Sequence, residues 1–153
     1  MAILRLTEDK AELIHDDAVE VISLADWREG ARAQGCRRAL AVTNDEPVEN
    51  LAQVLNEFEV VILEAPAFTD GRVFSQARLI RERLAYDGEI RVRGDVLPDQ
   101  ARFLARCGVD TIDIGDAQPH EFINNLSAYT VFYQTGATRS APAWRLRRRR
   151  EAA

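Results

Sequence analysis

The sequence has little of what metal, disulfide and membrane proteins are built from. Its 153 residues include only two cysteines and two histidines. Cys36 and Cys107 form no CxxC pair, and His15 and His120 show no ligand spacing, which removes the usual zinc patterns. Two cysteines do not make the multi-bridge framework of a small secreted domain. No apolar run approaches the ~18–20 residues that span a bilayer. The opening MAILRLTEDKAELIHDD turns acidic where a secretory leader needs a basic start and an apolar centre, so the cytoplasm is the expected location. Neither GxGxxG nor GxxxxGK[ST] occurs, so there is no ready-made phosphate loop. Flavin, haem and iron–sulfur ligand patterns are likewise missing, and no cofactor is identified.

What is present is the composition of an ordinary soluble domain, 46% hydrophobic and 29% charged. The length suits one domain with a real core. We expect a single α/β domain over residues 1–136 and a basic, flexible tail over 137–153. The net charge of −5 conceals an asymmetry. Residues 139–153 carry six arginines against Glu151, giving +5 and leaving −10 for the remainder. Such a tail is either a solvated charge run or a grip on an acidic partner, and its sign allows weak, sequence-blind nucleic-acid affinity. The acidic body opposes that last use, and nucleic acid is not the expected partner.

Apolar spacing gives the element order. Strands are expected at 3–6, 19–23, 38–43, 60–63, 89–93, 111–114 and 129–134. Helices are expected from a cap at Ser23 or Asp26 to about 34, and at about 47–56, 72–86, 96–107 and 119–126. Gly35, Gly88 and Gly108 each stand just before a strand, where a left-handed residue ends a helix. The firmer strand starts recur every ~20–30 residues, the scale of a βα unit. This is an α/β chain with a mainly parallel sheet.

EIRVR (89–93) alternates, with Glu89, Arg91 and Arg93 opposing Ile90 and Val92, and Asp113 opposes Ile112 and Ile114. One helix-covered face and one polar face suit a truncated TIM-barrel-like arrangement; a flavodoxin-like doubly wound open sheet is the alternative. Either places functional groups at the carboxyl ends of the strands.

Those ends carry the candidate site. Thr69, Asp70, Gly71 and Arg72 sit where a strand passes into a helix, so free backbone N–H groups and an arginine could bind an anion. Equally, Asp70 or Thr69 could cap that helix, using those same donors. Arg91, Arg93, Asp95 and Asp99, with Gln100 beside them, read either as an ion-pair network or as acid–base groups. Cys107 is a possible redox residue: its helix-end position disfavours a thiolate, while Arg102 and Arg106 favour one. Trp27 and Phe103 are expected in the core.

The ordered pieces FTDGR (68–72), ARLIRERL (77–84), GEIRVRGDVLPDQ (88–100) and RCGVD (106–110), with a fainter FYQ at 132–134, resemble a bacterial family of unknown function. Its members are encoded beside sulfite reductase and phosphoadenylylsulfate reductase and are labelled probable oxidoreductases of sulfite reduction. The family pattern falls here on Asp70, Gly71, Arg72, Gly94, Asp95, Asp99, Gln100, Arg106, Cys107 and Gly108, among others. Val73 and Pro98 stand where the family usually has glycine and arginine, which weighs against a phosphate loop. The resemblance implies an accessory protein of assimilatory sulfate or sulfite reduction, serving cysteine biosynthesis and docking to sulfite reductase or another enzyme of that route. The alternative is a small-oxyanion-binding domain or enzyme at the strand-end pocket. Whether it is an enzyme stays open, since the oxidoreductase label is matched by no redox motif. A homodimer is expected, with the tail of one copy against the other.

Overall fold

The computed structural model describes residues 2–7, 10–14, 18–35, 37–127 and 131–137. His15, Cys36 and the arginine-rich tail lie outside them, as do the tail's expected flexibility and its contact with a second copy.

Strands β1 (Ala2–Leu6), β2 (Ala11–Ile14), β3 (Glu20–Ser23), β4 (Arg38–Val42), β5 (Val60–Ala65), β6 (Glu89–Gly94) and β7 (Thr111–Gly115) form one sheet in the order β2-β1-β7-β6-β5-β4-β3. From β3 to β7 neighbours are consecutive and parallel. β1 then pairs antiparallel with β7, and β2 antiparallel with β1. The helices are α1 (Leu24–Arg28), α2 (Ala52–Leu55), α3 (Arg72–Glu82), α4 (Ala101–Arg106) and α5 (Pro119–Ser127), with 3-10 turns at Val48–Leu51 and Pro98–Gln100 preceding α2 and α4. None of these helices is long and apolar enough to cross a membrane.

The main core shows how the layers meet. Leu40, Val42, Val61, Leu63, Ile90, Val92, Ile112 and Ile114 come from the strands; Leu24, Val54, Ala77, Ile80, Leu104, Phe122 and Leu126 come from the five helices. All the helices therefore lie on one face. The consecutive order without reversal is that of an unclosed (β/α) barrel segment. The reversal that gives a doubly wound sheet its switch point is absent among the described strands. Fully burying each aliphatic or Phe side chain contributes about 1.5–3 kcal/mol, so this layer is what holds the sheet flat against its helices.

The opposite face carries a small buried apolar cluster of Ala39, Val60 and Ile62 and, beside it, ordered rows of polar side chains, as the alternation in 89–93 requires. Glu64, Arg93 and Asp113 are lateral neighbours, as are Ile62, Arg91, Thr111 and Arg5. Arg91 is only 2% exposed. Its guanidinium donates to Glu89 at 2.8 and 3.0 Å and to the Thr111 hydroxyl at 3.3 Å, while Thr111 Oγ1 donates to Glu89 at 2.5 Å and Arg37 pairs with Glu89. Burial works to raise the Glu89 carboxyl, but Thr111, Arg91 and Arg37 together hold it below its usual range.

Several boundaries differ from expectation. β2 was not expected. Residues 131–134 contain no strand; there Phe132 lies against the Arg102 and Arg106 guanidinium groups, 4.9 and 4.1 Å from the ring centre. α1 ends at Arg28 and α3 at Glu82, each about a turn or more early. Gly108 has the left-handed φ of 95° that ends α4, but the other left-handed residues after helices are Gly30 and Ala85. Gly88 serves instead for clearance, since a Cβ there would meet the Tyr86 ring.

Candidate functional site

Five parallel strands put the loops after β3 to β7 along one edge, and the anticipated residues gather there. Asp70 sits just before α3. Its carboxylate accepts from Arg72 N at 3.1 Å, from Arg72 Nη2 at 2.6 Å and from Asn44 Nδ2 at 2.5 Å. The capping reading is thus realised and extended: the aspartate satisfies a helix-start amide, neutralises the arginine and ties down the loop after β4. Arg72, followed by Asn44, holds the Asp70 carboxyl down at about 2. Gly71 is the residue preceding α3 and makes no side-chain cap.

Arg93 turns to Glu64 across the strand pair, at 2.8 Å, and not to Asp95. Asp95 points instead to the loop after β5 and accepts from Phe68 N at 3.1 Å. Gln100 reaches the same residue from the other side, donating Nε2 to Phe68 O at 2.8 Å while its Oε1 accepts from Leu97 N at 3.1 Å. Both backbone groups of one loop residue are thereby satisfied by side chains from another loop. The approach depends on Gly94, whose φ is 126°; a Cβ there would run into the Ala65 carbonyl, which accepts from Asp95 N at 2.8 Å. Asp99 makes no side-chain bond of this network. It lines an open depression of about 500 Å³ with Leu97, Pro98, His120, Glu121 and Asn124.

The strand-end arginines are each engaged by a carboxylate: Arg72 by Asp70, Arg93 by Glu64, and Arg28 by Glu46. None of the ion pairs among the described residues involves Asp45, Asp95, Asp99 or Asp116. The edge therefore presents net negative charge, and phosphate or sulfate would meet cations already paired. Hydrogen bonding from Thr43 leads the causes that keep the Asp45 carboxyl low and ionised.

Two features escaped sequence reading. Phe68 is 46% exposed although its backbone is clamped. Phe103, expected in the core, is 52% exposed and packs beside Phe74 with ring centres 5.0 Å apart. The motif position alone could have raised Phe68, since it opens FTDGR; for Phe103 the signal was the apolar stripe Leu97, Ala101 and Leu104, which leaves it on another face of α4.

Cys107 is buried at the end of α4, and burial pushes its thiol up, which favours a packing role over a redox one. Among the described residues no group of three or more His, Cys, Asp or Glu is placed to hold a metal ion.

No curated protein of established function matches the chain. The model of one family, described as "Bacterial protein of unknown function (DUF934)", matches residues 39–144, which include all but the first residue of β4, β5 to β7, the clamped loop and the strand-end residues described above other than Arg28. The chain belongs to that family.

Proposed function

We propose that the protein is an accessory component of assimilatory sulfate or sulfite reduction, serving cysteine biosynthesis, and that it acts by docking to sulfite reductase or another enzyme of that route. The pathway comes from the family resemblance carried by FTDGR, RVRGD and RCGVD. Docking, as opposed to turnover, is supported by one observation: Asp70, Arg72, Arg93 and Asp95 bond to other charges or to backbone, and Asp95 and Gln100 hold the backbone of an exposed Phe68. A catalytic site needs groups left poised toward a substrate. Here Arg72, Arg93, Asp70 and Asp95 each have a structural partner.

A small-oxyanion site on the same four residues is the second reading, favoured by the position of Asp70 and Arg72 at the start of α3. An anion there would have to displace Asp70 from Arg72 or Glu64 from Arg93, so docking is preferred.

Disruption of the gene tests the reading. Growth on sulfate or sulfite as sole sulfur source should be poor and should recover on cysteine. Normal growth on sulfate would reject the pathway assignment.

A further inference from the structure

We propose that the strand-end surface centred on Phe68 is a docking site for a basic protein, one whose lysine and arginine side chains ring an apolar socket that receives the phenyl ring. This rests on the docking reading above and adds the chemistry of the partner.

Three observations carry it. The first is that Phe68 is exposed while its backbone is held. A loop residue left in water is normally free to move, but here Asp95 and Gln100 satisfy both backbone groups of this residue from a separate loop. Holding the loop backbone that carries an aromatic anchor before binding removes part of the ordering cost of association. The second is that the apolar character does not stop at one ring. Gln100, which holds the Phe68 carbonyl, is followed one helical turn later on α4 by Phe103, itself half exposed and packed at a tilt against Phe74. The third is the sign of the surroundings. Arg28, Arg72 and Arg93 are cancelled locally by Glu46, Asp70 and Glu64, whereas Asp45, Asp95, Asp99 and Asp116 are exposed and outside the ion pairs of the described residues. An aromatic anchor with an acidic rim is complementary to an apolar socket with a basic rim. The same rim repels phosphate, so neither a nucleic acid nor an anionic lipid surface fits it.

The test uses the full chain in its own cells, with the photo-crosslinking residue p-benzoylphenylalanine at position 68 and, as a control, at Glu57 on the amino end of the sheet. Position 68 should give one discrete protein adduct and position 57 should not give it. The crosslinked peptide of the partner should be flanked by lysine or arginine. Asp45→Asn, Asp99→Asn and Asp116→Asn together leave the Phe68 clamp intact; they should lower the adduct yield by roughly tenfold, the expectation for three exposed charge pairs. With the crosslinked partner purified, Phe68→Ala should raise Kd by roughly thirtyfold without changing the melting temperature, and Phe68→Trp should retain binding. No adduct at position 68, an adduct to an acidic surface, or an adduct to a second copy of this chain would each overturn the proposal. An adduct to a basic protein outside sulfur assimilation supports this surface and rejects the pathway. A growth defect on sulfate without any adduct at position 68 does the reverse.

Discussion

Asp70 combines three roles at the start of α3: it bonds the Arg72 amide, pairs with the Arg72 guanidinium and holds Asn44. Its folded pKa of about 2 lies below the ~3.9 of an unfolded aspartate, so the stabilisation is fully present above the unfolded value. It is lost as pH falls through the folded one. Amide-exchange protection of Arg72 should therefore hold from neutrality down to about pH 4 and disappear between about pH 4 and pH 2. Asp70→Ala should lack that protection already at pH 7; an unchanged protection profile in this variant would dismiss the role. The helix-start contact was legible in the sequence as one of two readings, because an aspartate just before a helix start can accept from its free amides; the pairing with Arg72 and the hold on Asn44 were not. The use of Asp95 and Gln100 was not, since both act on Phe68 from 27 and 32 residues away. Local chemistry put Asp95 beside Arg93, and the strand geometry then sent the two in different directions.

Strand positions were legible to within a residue or two wherever apolar runs or strict alternation marked them, as at Val60–Ala65 and Glu89–Gly94. β2 was not, because AELI is short, mostly exposed and defined by pairing with β1 through a turn in which Thr7 N donates to Lys10 O at 2.8 Å. Helix ends failed for a tertiary reason. α3 stops at Glu82 because Tyr86 turns inward, donating its hydroxyl to Phe58 O at 3.0 Å, and Ala85 takes the left-handed turn this demands. Arg81 braces that turn. It donates to Gly108 O at 3.0 Å, to Gly88 O at 2.8 Å and to Tyr86 O, and pairs with Asp110, whose carboxylate also accepts from Ile90 N at 2.7 Å. One side chain thus joins α3 to the starts of β6 and β7. Arg81→Met keeps the aliphatic stem and removes those donors, and should destabilise the fold by about 3 kcal/mol in denaturant titration. A loss below about 1 kcal/mol would show that water replaces the guanidinium without penalty.

On the scale of the whole molecule, the sheet is an unclosed barrel segment with edges at β2 and β3. Leu13 on the first edge and Val21 on the second are 50% and 41% exposed. A strand edge bearing exposed apolar side chains is a template for further pairing, and proteins generally cover or charge such edges. The charge distribution offers the complementary contact: +5 over residues 139–153 against −10 in the rest of the chain. We therefore propose a two-fold homodimer, the commonest closed assembly, with attraction between the basic segment of each copy and the acidic body of the other adding to edge contact. Light scattering should give about twice the chain mass of 17.2 kDa. Deleting residues 139–153 should weaken association most at low ionic strength. At 1 M salt the Debye length falls to about 3 Å, and the full-length and truncated chains should converge there. Leu13→Lys and Val21→Lys place a charge on one edge each, and only the edge that forms the interface should respond. A monomer at micromolar concentration in low salt would reject the dimer and leave the open edges to be covered by the docking partner instead.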